Sequence, residues 1–135
     1  MSQSAASLHV IGNDLDPEEV TRLLGVDPTS AEAKGDRVEM PSGKLRIAKT
    51  GHWRFKIDRR SPADLDGQIS ELFSVTSQDL DDWTTLRKRF VIRVFCGLMM
   101  SDCNEGLPLT ALTIQALAER GAEIDFDLYA PDTES

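Results

Sequence analysis

Four short segments of this chain alternate apolar and polar residues with a period of two, and this pattern constrains the fold more than any other feature of the sequence. Leu8 and Val10, then Trp53, Phe55 and Ile57, then Phe90, Ile92 and Val94, then Ile124, Phe126 and Leu128 each form a uniformly apolar strand face. Successive strand side chains point to opposite sides of a sheet, so each strand has one face that must be covered. The cover lies between the strands, where Val20, Leu23 and Leu24, then Leu65, Ile69, Leu72 and Phe73, then Leu80, Trp83 and Leu86, then Leu109, Leu112, Ala116 and Leu117 recur at helical spacing. One apolar stripe per helix and one apolar face per strand predict an α+β fold: a mostly antiparallel sheet of four to five strands with helices packed on one face. The order contains two β-α-β-like halves, giving it ferredoxin-like character.

Local signals set the expected boundaries. The first strand runs over residues 7–12. Asp16 then caps a helix with Pro17 at its first position, Glu19 within reach of the cap, and Gly25 as the stop. Residues 26–50 are irregular, with a small hairpin turning at residues 41–43. Ser61 and Pro62 repeat the cap-plus-proline start, and Thr76-Ser77 divides the next helical stretch in two. Gly97 marks a thin spot or bulge in the most apolar strand. The last helix starts near Pro108 and ends at Gly121. All 135 residues fit a single domain, ordered over about residues 7–130, with residues 131–135 a frayed tail.

The 23 acidic against 15 basic residues give a net charge of −8, a field that repels nucleic acid and anionic lipid at long range. Much of the acidity sits at expected helix starts, in Asp14 to Glu19 and Asp79 to Asp82, where it complements the helix dipole. The basic clusters Arg59-Arg60 and Arg87-Lys88-Arg89 fall at element ends, so nucleic acid is not the expected partner. No apolar stretch reaches the roughly 20 residues of a membrane span, and the opening residues have no basic, apolar leader pattern. Two cysteines, Cys96 and Cys103, do not make a disulfide framework, which fits a cytoplasmic protein.

Catalytic spacings are missing from the sequence. There is no phosphate-cradling Gly-Lys-Ser/Thr loop and no glycine-rich dinucleotide turn. His9 and His52 are the only histidines and have no neighbour at metal-ligand spacing. Cys96 falls in an apolar strand, where a thiolate is disfavoured. No catalytic residue, cofactor or metal is expected.

Strand alternation leaves a second sheet face, charged and mixed, carrying His9 and the candidate binding residues Ile11, Arg54, Lys56, Arg93, Phe95, Asp125, Asp127 and Tyr129. Its plain reading is a solvated face laced by cross-strand pairs between Arg or Lys and Asp. Its functional reading is a partly apolar patch of Ile11, Phe95 and Tyr129 ringed by charge, with Arg54, Arg93 and Tyr129 as anchors.

The run Leu-His-Val-Ile-Gly-Asn-Asp-Leu-Asp-Pro-Glu-Glu-Val-Thr-Arg-Leu-Leu-Gly-Val-Asp-Pro-Thr at residues 8–29, a glycine at Gly35, Gly51-His52-Trp53, and Ile-Asp-Phe-Asp-Leu-Tyr at residues 124–129 resemble the bacterial and phage-associated domain of unknown function numbered 4279. The resemblance spans about residues 8–129 and implies a single-domain cytoplasmic α+β protein, with no activity or catalytic residue attached to it. The expectation is a non-catalytic interaction or binding module, in the manner of an immunity protein, meeting a protein partner or a second copy through the open sheet face or residues 26–50. The alternative is a small-molecule-binding protein or enzyme whose pocket is built from scattered residues of that face.

Overall fold

The computed structural model describes residues 1–132. It is an α+β fold of four helices and a five-stranded sheet, with a separate two-stranded hairpin. The sheet strands are β1 (Gln3–Gly12), β2 (Ser30–Glu32), β5 (Gly51–Lys56), β6 (Val91–Met99) and β7 (Ala122–Tyr129), in the order β2-β5-β1-β6-β7. Every pairing is antiparallel except β6 with β7. Parallel neighbours need a crossover, and α4 (Ala111–Glu119) supplies it. β1 and β2 both run antiparallel to β5, which lies between them. The hairpin of β3 (Arg37–Glu39) and β4 (Leu45–Ile47) turns where the sequence places it, with Gly43 at φ 84°.

The apolar alternation is realised in the core. Leu8, Val10, Trp53, Ile92 and Val94 are buried from the sheet side. Val20 and Leu24 of α1 (Pro17–Leu24), Ile69 and Leu72 of α2 (Leu65–Val75), and Trp83 and Leu86 of α3 (Leu80–Arg87) bury against them. Each such side chain contributes about 1.5–3 kcal/mol on leaving water. Both tryptophans are buried core residues whose indole N–H groups are satisfied, Trp53 by Thr21 at 3.1 Å and Trp83 by the Ser77 carbonyl at 2.9 Å.

Several boundaries differ from the sequence reading. β1 starts at Gln3, and the N-terminal half of the strand is tied into the sheet instead of fraying. Its residues Ser4 to Ser7 are small and carry no apolar period, but a buried polar network replaces hydrophobicity there. Gln68, fully buried on α2, accepts from the Ser4 hydroxyl and donates to the carbonyls of Ser4 and Asp58 at 3.0 Å each. Asp64, not Ser61, caps α2 by accepting from the Gly67 N–H, and Thr110 caps α4 two residues beyond Pro108. Asp16 does cap α1, but Glu19 turns away to bind Arg89 at 2.7 Å. Leu112 on α4, and Phe126 and Leu128 on the edge strand β7, expected in the core, are exposed. Of the expected frayed tail, residues 133–135 lie outside the described residues.

Among the described residues no helix is long and apolar enough to cross a membrane.

Replacing Gln68 by Leu leaves the two carbonyls and the Ser4 hydroxyl without their buried partner, each such loss costing about 1–3 kcal/mol. Urea unfolding of Gln68→Leu is expected to show at least about 2 kcal/mol of lost stability; a variant as stable as the parent would remove this network as the anchor of β1.

Candidate functional site

The pairing register lays the open sheet face out as rows. One row reads Ser30, Arg54, His9, Arg93, Glu123; the next towards the hairpin reads Glu32, His52, Ile11, Val91. In the other direction come Lys56, Ser7, Phe95, Asp125, then Ala5, Gly97, Asp127, and last Gln3, Met99, Tyr129. All eight candidate residues stand on this face, but they do not form one patch. Phe95 and Tyr129 line a common recess, while Ile11 sits two rows from Phe95, about 13 Å at roughly 3.3 Å per residue. The expected cross-strand pairs are also redistributed. Arg93 binds Glu123 at 3.2 Å, whereas Arg54 turns to the opposite edge and binds Glu32 at 2.8 Å, because β1 and β6 separate it from Asp125.

The centre of the face is a continuous hydrogen-bonded chain that pairs two residues, His9 and His52, lacking any sequence spacing to link them. Ser7 Oγ lies 2.8 Å from His9 Nε2, His9 Nδ1 lies 2.7 Å from His52 Nε2, and His52 Nδ1 lies 3.0 Å from Arg54 Nη2. Arg54 Nη2 continues to Glu32 Oε1, which also receives Arg46 at 3.1 Å. A guanidinium only donates, and this fixes the direction of every bond in the chain. His52 Nδ1 must accept from Arg54, so His52 carries its proton on Nε2 and donates to His9 Nδ1. His9 therefore carries its proton on Nε2 and donates to Ser7 Oγ. The four ring nitrogens are all used within the chain, and the Ser7 O–H has no acceptor among the described residues.

The same surroundings set the charge states. His9 is pushed down to about 4 by burial, then by His52 and by Arg54, Arg93 and Lys56. His52 is likewise pushed down to about 4 by burial and Arg54, with Glu32 opposing and Arg93 and Arg46 adding to the fall. Both rings are neutral at pH 7. Burial acts to raise the Glu32 pKa, but hydrogen bonds from Arg54 and Arg46 hold it below the ordinary carboxylate range. Glu32 comes from β2, a three-residue strand with no apolar alternation to reveal it. Both thiols are unpaired; Cys96 is buried on the core side, its pKa raised to about 12 by burial and then by Asp125, and Cys103 is exposed.

Two recesses open on this face. One, about 330 Å³, lies between the hairpin and β5 and is lined by Glu32, Arg46, Lys49, His52 and Arg54. The other, about 180 Å³ and more enclosed, lies over Ala5 and Gly97. The model of a family described as a domain of unknown function (DUF4279) matches residues 2–131. The chain belongs to this family. No curated protein and no solved structure matches it. For this DUF4279 domain, then, the chemistry of the face has to be read from its own residues.

That chemistry has a definite pH signature. In the folded state the imidazoles bind a proton only near pH 4, whereas in the unfolded chain they do so near 6.5. Between those values the unfolded state holds more protons, so stability falls as pH drops from 6.5 towards 4 and is flat with respect to these groups above 6.5. His9→Gln is expected to remove the His9 share of the slope in unfolding free energy between pH 4 and 6.5, leaving that of His52. A parent protein whose imidazole NMR signals titrate near 6.5 would contradict the burial of the pair.

Proposed function

We propose that this DUF4279 domain is a non-catalytic binding module whose working surface is the open sheet face. The observation that carries the reading is the direction of the Ser7–His9–His52–Arg54 chain. A serine nucleophile needs a base that accepts its proton. Here His9 donates to Ser7, and Arg54 holds it in that role from two residues away. The arrangement resembles a serine hydrolase site in composition and opposes it in polarity. It suits a surface that offers one fixed donor, the Ser7 O–H, on a rigid and neutral support.

The candidate residues act in this reading as walls and anchors: Phe95 and Tyr129 as apolar walls, Lys56 as a cation at the rim, Arg54 and Arg93 as the braces that keep the face in register. A protein partner, neutralised as immunity proteins neutralise theirs, and a second copy are both compatible with such a face, but the enclosure of the recess over Gly97 favours a small ligand. Unpaired Cys96 and Cys103 support a cytoplasmic setting. A nucleic-acid role is not favoured, since Arg60 is taken by Asp64 and Glu71, and Arg89 by Glu19. We also read the first part of the chain as ferredoxin-like, a split β-α-β in which β5 lies between β1 and β2 and β6 flanks β1, with α4 and β7 appended; the strand order supports this.

Fluorophosphonate reagents label serines that have an activating base. Intact-mass analysis after prolonged exposure is expected to show the unmodified protein. A stoichiometric adduct on Ser7 would overturn the non-catalytic reading.

A further inference from the structure

The recess over Gly97 has a composition that specifies its ligand. Its floor is Ala5 and Gly97, neighbours in register, and the missing side chain at Gly97 is what creates the space. A Cβ built at Gly97 meets nothing closer than Ala5 Cβ at 3.8 Å and Tyr129 Cε2 at 4.0 Å, so the backbone there does not require glycine. The walls are Phe95, Met99 and Tyr129, and the rim towards β5 carries Lys56 and Arg59. In a chain of net charge −8, neither of these two cations has a carboxylate within ion-pair distance among the described residues. Ser7 also lines the recess, and its O–H is the donor that the imidazole chain leaves unspent. On the opposite side stand Asp125 and Asp127, the latter engaged with the Tyr129 hydroxyl. The recess is thus apolar at its base, positive on one side and negative on the other.

We propose that this recess binds a small monocarboxylate with a flat apolar body, the ring lying on Ala5 and Gly97 between Phe95 and Tyr129 and the carboxylate directed to Lys56, Arg59 and the Ser7 hydroxyl. The proposal rests on the reading of the open face as a binding surface and names its ligand class. At about 180 Å³ the recess is below the roughly 300–1,000 Å³ of sites for drug-sized ligands, which selects a single-ring acid. The acidic side makes the orientation one-way, since a carboxylate turned towards Asp125 and Asp127 is repelled. Two charge-assisted contacts at an exposed rim are screened by salt, so affinity should fall as ionic strength rises.

Benzoate is the probe, titrated into uniformly 15N-labelled full-length protein. Amide shifts concentrated at Ala5, Ser7, Phe95, Gly97 and Tyr129, saturating with a dissociation constant of about 1 mM or tighter, are the expected result. Gly97→Val should abolish them while leaving a dispersed spectrum, and Gly97→Ala, whose Cβ makes only ordinary contacts, should weaken them without affecting folding. The pair Lys56→Gln with Arg59→Gln, and separately benzamide in place of benzoate, each remove both charge-assisted contacts and should weaken binding at least about tenfold. No saturating shifts, or equal binding by benzamide or by the cation benzamidine, would overturn the proposal. Shifts confined to Arg46, His52 and Arg54 would also overturn it while leaving the face a binding surface; the non-catalytic reading of that face fails separately, by labelling of Ser7.

Discussion

Everything on the open face depends on the double pairing of β1. This strand is hydrogen-bonded along both edges, to β5 and to β6, and its even-numbered residues Leu8 and Val10 are buried under the helices. A slip of one residue would turn Ser7 and His9 into the core and expose Leu8 and Val10. Burying an imidazole among apolar side chains without a partner costs several kcal/mol, so the register is strongly held. Ser7, His9 and Ile11 are therefore fixed on the face by residues that never touch it, and β5 and β6 inherit their alternation from the same register.

Given that placement, Arg54 decides what the face can do. It is the only member of the Ser7–His9–His52 chain that cannot accept, and it is itself clamped by Glu32 from the neighbouring strand. Each bond in the chain is worth only about 0.5–1.5 kcal/mol net. Its consequence is directional: two neutral rings in one tautomer, and a serine hydroxyl that receives a proton bond instead of losing one. Burial and the ring of cations reinforce the arrangement by keeping both rings uncharged at neutral pH.

Much of this was legible in the sequence, and the remainder was hidden for identifiable reasons. Period-two alternation located β5, β6 and β7 and the core half of β1, and it assigned Ile11, Arg54, Lys56, Arg93, Phe95, Asp125, Asp127 and Tyr129 to one face. Strand alternation is a local property, and the face needs only that. It does not say which strands are neighbours, so it shows neither that two strands separate Arg54 from Asp125 nor that His52 meets His9. Ser4 to Ala6 fall outside the expected strand because Gln68 stabilises that half of β1 through hydrogen bonds, which leave no hydrophobic period. The three residues of β2 were equally silent, and with them Glu32. Gly97 was visible as a thin spot; that the gap opens on the Phe95 and Tyr129 side follows from pairing with Ala5.

The fixed polarity of the imidazole chain is the central claim, and the tautomeric state of the two histidines tests it most directly. Long-range 1H–15N correlation spectra of the imidazole rings at pH 7 should show both His9 and His52 as the Nε2–H tautomer, with Nδ1 unprotonated in each. His9 protonated on Nδ1, leaving Nε2 free to accept from Ser7, would contradict the account and return the face to the chemistry of a serine nucleophile.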